Sequence, residues 1–168
     1  MRKLNVTVWN ENEGRGEHDA YESGMNAAIV DFLNSSGEFG KLRAASLPQP
    51  EHGLSDEVLN DTDVLLWWGH SLHQLVSDGI VEKVRARILG GMGFIPLHSA
   101  HASKIFMKLM GTHTDRLRWR DAGERERVWK IAYGHPIAEG APDYFDIPRS
   151  EMYGEHFHIP TPDELILV

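Results

Sequence analysis

The sequence predicts a doubly wound α/β fold, a mainly parallel sheet with helices on both faces. Short β-branched or apolar runs alternate with helix-length amphipathic stretches over the first two thirds of the chain. The segments between the runs are too long for hairpins, so successive strands must be joined by crossovers and lie parallel. Histidines recur just past the strands, in three separate turns. In an open parallel sheet, those turns meet along one edge, and ligands bind at that edge.

Each element carries its own signal. LNVTVW, residues 4–9, is a β-branched run suited to a buried first strand. After the polar loop NENEGRGEHDAYESG, a helix is expected from Met25 to Asn34, with Ala27, Ala28, Val30, Phe32 and Leu33 available for its inner face. KLRAASL, residues 41–47, reads as a short second strand closed by Pro48 and Pro50. Ser55, followed by Asp56 and Glu57, is a helix start. DVLLWWG, residues 63–69, is the clearest strand. Ser77 opens a helix in which Ile80, Val81, Val84 and Ile88 recur at helical spacing, ended by Gly90 and Gly91. GFIPLH, residues 93–98, is the next strand, and Ala102 to Met110 the next helix. This order is of the flavodoxin-like kind.

Beyond it, RLRWRD and RVWKIA read as two strands of a hairpin or an outlying arm. The remainder is rich in Pro and Gly and ends on DELILV, a strand that begins and stops at the terminus. An unpaired edge is a template for association, so either a homo-oligomer or a continuing chain is expected. With no internal repeat and no linker, residues 1–168 read as one domain.

Composition narrows the function. No run of about 18 apolar residues occurs, so no membrane span is expected. There is no cysteine, which removes disulfides, thiolate metal ligands and a cysteine nucleophile together. That usage fits a reducing cytoplasm. The net charge of -8 repels phosphate backbones. Even the densest basic stretch, Arg116 to Arg127, is interleaved with Asp115, Asp121, Glu124 and Glu126, so no nucleic-acid partner is expected. A weakly charged small molecule such as a sugar meets no such barrier.

The histidines carry the chemistry. Gly69 lets the chain turn off its strand, and His70 and His73 follow three residues apart. His98 and His101 repeat that spacing after the next strand. His18, flanked by Glu17 and Asp19, lies in the loop after the first strand. Each alone has a plain structural reading, as a cap, a packed ring or a solvated loop residue. Together they supply the three or four ligands that zinc or a similar divalent ion needs, from His18, His70, His73 and His101. His98 and Glu155 are then candidates for moving protons. Ser99 stands about where α/β enzymes hold a nucleophile, but the surrounding G-x-S-x-G is absent, and a capping role is the alternative. His135 before Pro136 suits an ordered turn, and His156 and His158 alternate onto one face. Trp67 and Trp68 are expected in the core, or as an aromatic floor for a sugar ring.

The stretches VTVWNE, EHGLSDEVLNDTDVLLWWGHSLHQLVSD, GMGFIPLHSAHASKIFMKLMGT, LRWRDAGERERVW, GHPIAEG and EMYGEHFHIPTPDEL resemble the ThuA-like family of trehalose utilisation. The resemblance implies a class I glutamine-amidotransferase-like α/β fold. It does not imply amidotransfer, because HSAH stands where that activity needs cysteine. It implies a sugar-catabolic enzyme working beside dehydrogenases that make 3-keto-glycosides. By family pattern His18, His70, His73, His98, His101, His135 and Glu155 fall on recurrent positions. Two departures stand out: the loop before His18 differs from the usual N-E-x-x-H-E, and a Gly-rich aromatic segment ending in G-H-E is missing after DELILV. The leading expectation is a metal-dependent enzyme acting on a glycoside or 3-keto-glycoside by hydrolysis, elimination or isomerisation. The alternatives are a metal-free Ser/His hydrolase and a non-catalytic sugar-binding or regulatory module.

Overall fold

The computed structural model of the chain describes residues 2–12, 21–154 and 157–168. They form two compact units, Met1–Leu109 and Met110–Val168. The first contains strands β1 (Val6–Asn10), β2 (Leu42–Ser46), β3 (Val64–Trp68) and β4 (Gly93–Leu97). It also contains helices α1 (Met25–Ser36), α2 (Asp56–Asn60) and α3 (Asp78–Leu89), and α4 (Lys104–Met110) runs to its end. The four strands are all parallel, in the order β2-β1-β3-β4. The expected mainly parallel α/β sheet of flavodoxin-like kind is therefore what forms. Among the described residues no helix is long and apolar enough to cross a membrane.

The core follows from strand position. All five residues of β1 are buried, as befits a strand flanked on both sides. Trp9 and Trp67 are register partners on β1 and β3, and their rings stack with centroids 3.8 Å apart. Both are fully buried, with Leu54, Leu59, Leu65, Val84 and Ile105 completing the apolar cluster. Trp9 keeps its polar edge satisfied by donating Nε1–H to the carbonyl of His52. Ser55 and Ser77 cap α2 and α3 by accepting from Val58 and Ile80, as the sequence leads one to expect. Pro96 lies inside β4, the outermost strand of the described sheet, the position where a strand accommodates proline.

Helix α1 runs two residues past the expected Asn34 and closes on Gly37, whose left-handed φ of 66° suits a residue without Cβ. It buries no residue fully, and Phe32, expected on its inner face, is 75% exposed.

The second unit differs more from expectation. RLRWRD and RVWKIA were expected as two strands, but both run into one, β5 (Trp119–Trp129). It is interrupted by a register shift around Gly123, where φ is 70°. Its antiparallel partner, β6 (Tyr144–Tyr153), comes from the stretch rich in Pro and Gly, whose pattern announces no strand. Pro148 hides that strand from a pattern reading, and it falls in the interval where the register slips. DELILV forms no regular strand. Instead Val168 donates to the carbonyl of Trp129 at 2.9 Å, and Ile131 donates to that of Ile166 at 3.0 Å, so the run finds a partner within its own unit.

The stacked tryptophans set a stability test. Trp67→Ala should cost about 3–5 kcal/mol in urea unfolding, as large-to-small changes in a packed core do. Phe32→Ser on the exposed side of α1 should change stability by less than about 0.5 kcal/mol.

Candidate functional site

Strands β1, β3 and β4 end at one level, with Asn10 paired to Trp68 and Trp68 to Leu97. The next residues, Glu11, Gly69 and His98, therefore leave the sheet side by side along its carboxyl edge. Three turns start there, and the site is built from them.

Glu11 is buried, 1% exposed, and among the described residues its ion-pair neighbour is His73. Its Oε2 accepts three successive backbone N–H groups, from His70 and Ser71 at 2.8 Å and from Leu72 at 2.9 Å. Consecutive amides pointed at one anion make a concave, positively polarised cradle. A carboxylate with such partners is compensated without a counter-ion. The other oxygen, Oε1, lies 3.3 Å from His73 Nδ1. Gly69 makes this fit possible: a Cβ there would stand 2.7 Å from His73 Nδ1 and 3.1 Å from Glu11 Oε1.

His73 opens a short turn, His73–Leu75, and its ring packs back over Gly69. Both ring nitrogens are buried, and among the described residues neither has a hydrogen-bond partner. Burial holds its pKa below the ordinary histidine value and nearby His101 adds to the lowering, while Glu11 and the backbone of His70 pull the other way. His73 is therefore a neutral imidazole at neutral pH.

His70 is exposed. Its ring lies flat against Trp68, with centroids 5.8 Å apart and planes 8° from parallel. Its Nδ1 is 3.2 Å from Ser99 Oγ. Ser99 is buried, and its hydroxyl donates to the carbonyl of Gly69 at 2.7 Å. The strained strand-to-helix position belongs to the residue before it: His98 has φ of 46° in the left-handed region and is exposed. The turn His98–Ala102 continues to His101, half-buried, with Nδ1 3.4 Å from the carbonyl of His98. At the far end Lys104 donates to the carbonyl of Val76 at 2.7 Å and to Asp78 at 2.8 Å. The two histidine turns are thus tied together at both ends, by Ser99 and by Lys104.

Of the residues expected from sequence, His70, His73, His98, Ser99 and His101 all stand on the turns after β3 and β4. His18, Glu155 and His156 lie outside the described residues. His135 belongs to the second unit, where it starts the turn Pro136–Ala138 by accepting the N–H of Ile137, and its Nε2 is 3.6 Å from Glu164. Trp67 is core, and Trp68 is half-buried against His70. Among the described residues no group of three or more His, Asp or Glu side chains is placed to hold one metal ion. The described donors therefore do not by themselves fit the expected zinc centre. Glu11 is the residue that sequence reasoning missed; its signal was a carboxylate directly after the first strand, level with the histidine turns.

The family model for ThuA, trehalose utilisation, matches residues 5–168. No curated protein matches the chain. Among solved structures, a ThuA-like protein from Bacteroides uniformis ATCC 8492 superposes with a TM-score of 0.62 at 17% identity, over 90% of this chain and 61% of that one. A ThuA-like protein from Parabacteroides merdae ATCC 43184 gives a TM-score of 0.56 at 13% identity, over 90% and 63%. At these identities the likeness is one of fold, and the chain spans just over three fifths of the length of either structure.

The depressed pKa of His73 makes stability depend on pH. A base that holds its proton less well when folded stabilises the fold fully above its unfolded value, 6.5, and loses that contribution as pH falls below it. Urea unfolding should show stability declining as pH drops from 6.5 toward the lower folded value, and His73→Gln should flatten that limb.

Proposed function

The chain belongs to the ThuA (trehalose utilisation) family, and on that premise we propose that it is an enzyme moving protons on a glycoside or 3-keto-glycoside. The observation that carries this reading is the pair of exposed imidazoles, His70 and His98, presented on adjacent turns at the carboxyl edge of the sheet. A keto group acidifies the neighbouring C–H. His70 takes that proton, the C–H electron pair becomes the enolate, and the enolate re-forms a double bond as the glycosidic C–O bond breaks. The leaving oxygen takes a proton from an imidazolium, His98 in this reading, and water can add later to complete hydrolysis. General acid and base groups of this kind contribute about 10²–10⁴ in rate. Trp68 stacks behind His70 and backs the imidazole that takes the proton.

A serine nucleophile is less well supported, because the Ser99 proton is already given to the carbonyl of Gly69. Zinc held by His18, His70, His73 and His101 is the second reading. What favours it is the pair of buried, unpartnered ring nitrogens on His73. No step of the proton-transfer route passes through the ion.

Solvent deuterium exchange at the carbon next to the carbonyl, followed by NMR on a 3-keto-glycoside, tests the proposal. Wild-type protein should exchange and turn over the sugar, and His70→Gln or His98→Gln should lower the rate by about 10²–10⁴. Binding without exchange or turnover would refute it in favour of a binding module. Activity unchanged by chelator supports the metal-free route, whereas joint loss of zinc and activity in His73→Ala supports the second reading.

A further inference from the structure

We propose that Ser99 is a positioning residue that fixes which nitrogen of His70 is basic. Three atoms decide it. Ser99 Oγ has one proton, and the carbonyl of Gly69 at 2.7 Å can only accept, so the proton lies between them. Placed anywhere else, it would leave two oxygen lone pairs facing each other at hydrogen-bond distance inside a buried pocket. The Ser99 oxygen is then an acceptor toward His70 Nδ1, 3.2 Å away, and Nδ1 must carry its hydrogen. A neutral imidazole holds one N–H, so Nε2 is left with a bare lone pair. The direction of the chain, from His70 to Ser99 to Gly69, is set by the one group in it that cannot donate.

The arrangement also explains two local features. Gly69 and His70 stand at the start of the turn whose amides hold Glu11, so the carbonyl and the ring share one anchored segment. The left-handed backbone of His98 turns the chain sharply off β4, and the next residue, Ser99, is buried against the neighbouring turn while His98 stays exposed. The sequence motif LHSAH thus places one imidazole outward and uses the serine after it to orient a second imidazole on another turn. This deepens the proposed function by naming the nitrogen of His70 that takes the proton, but the orientation stands or falls without any activity.

The test is a long-range ¹H–¹⁵N correlation spectrum of the ¹⁵N-labelled protein, at a pH above the histidine range. The His70 signals are assigned by their loss in His70→Gln. Wild-type protein should show His70 with a protonated Nδ1 and an unprotonated Nε2. Ser99→Ala should lose that preference, with the Nε2–H form becoming dominant, and Ser99→Thr, which keeps the hydroxyl, should restore it. Lys104→Met removes the other tie between the turns and should leave the His70 pattern unchanged. A wild-type His70 protonated on Nε2 would overturn the proposal, and that spectrum decides even where Ser99→Ala fails to fold. An unchanged pattern in Ser99→Ala, or an equal change in Lys104→Met, would also overturn it. None of these readings uses substrate, so a failure of the sugar chemistry remains separately visible.

Discussion

One buried carboxylate organises the working edge of this protein. Glu11 sits inside the first unit with three amides on a single oxygen. Removing a charge from water is costly unless it is compensated, and amides that would otherwise need water of their own are compensated in turn. The carboxylate and the turn His70–Leu72 therefore satisfy each other. These three bonds connect the end of β1 to the turn after β3.

The rest of the site follows from this coupling. With the turn pinned, Gly69 faces Ser99, His73 is folded inward over Gly69, and His70 is left outward on Trp68. Lys104 fixes the turn's exit by bonding the carbonyl of Val76. Below this polar layer the support is apolar, with the stacked Trp9 and Trp67 immediately under the turns. The result is an edge where two imidazoles are exposed while the groups that position them are buried. That division suits a group that must meet a ligand without losing its orientation.

The fold was legible because its signals are local. β-branched runs, serine caps at Ser55 and Ser77, and the glycine pair after α3 each act within a few residues. The histidine turns were legible for a related reason: parallel topology alone brings them to one edge. Glu11 was harder to see, since its meaning depends on amides 59 to 61 positions away in sequence. Ser99 was visible as a candidate but not in its role, because the acceptor that takes its proton comes from the previous strand's turn. In the second unit β6 was hidden by Pro148, whose effect on the ladder depends on where the register slips. Long-range pairing and proton direction are the properties that a one-dimensional pattern does not carry.

The central claim is that the Glu11 carboxylate holds the histidine turn. Amide hydrogen exchange at His70, Ser71 and Leu72 measures it most directly. These three amides should be protected in the wild-type protein to an extent approaching the β3 amides, although they lie in a turn, and Glu11→Ala should abolish their protection while leaving β1 and β3 protected. Rapid exchange of the three amides in the wild-type protein, or protection that survives the loss of the carboxylate, would contradict the account.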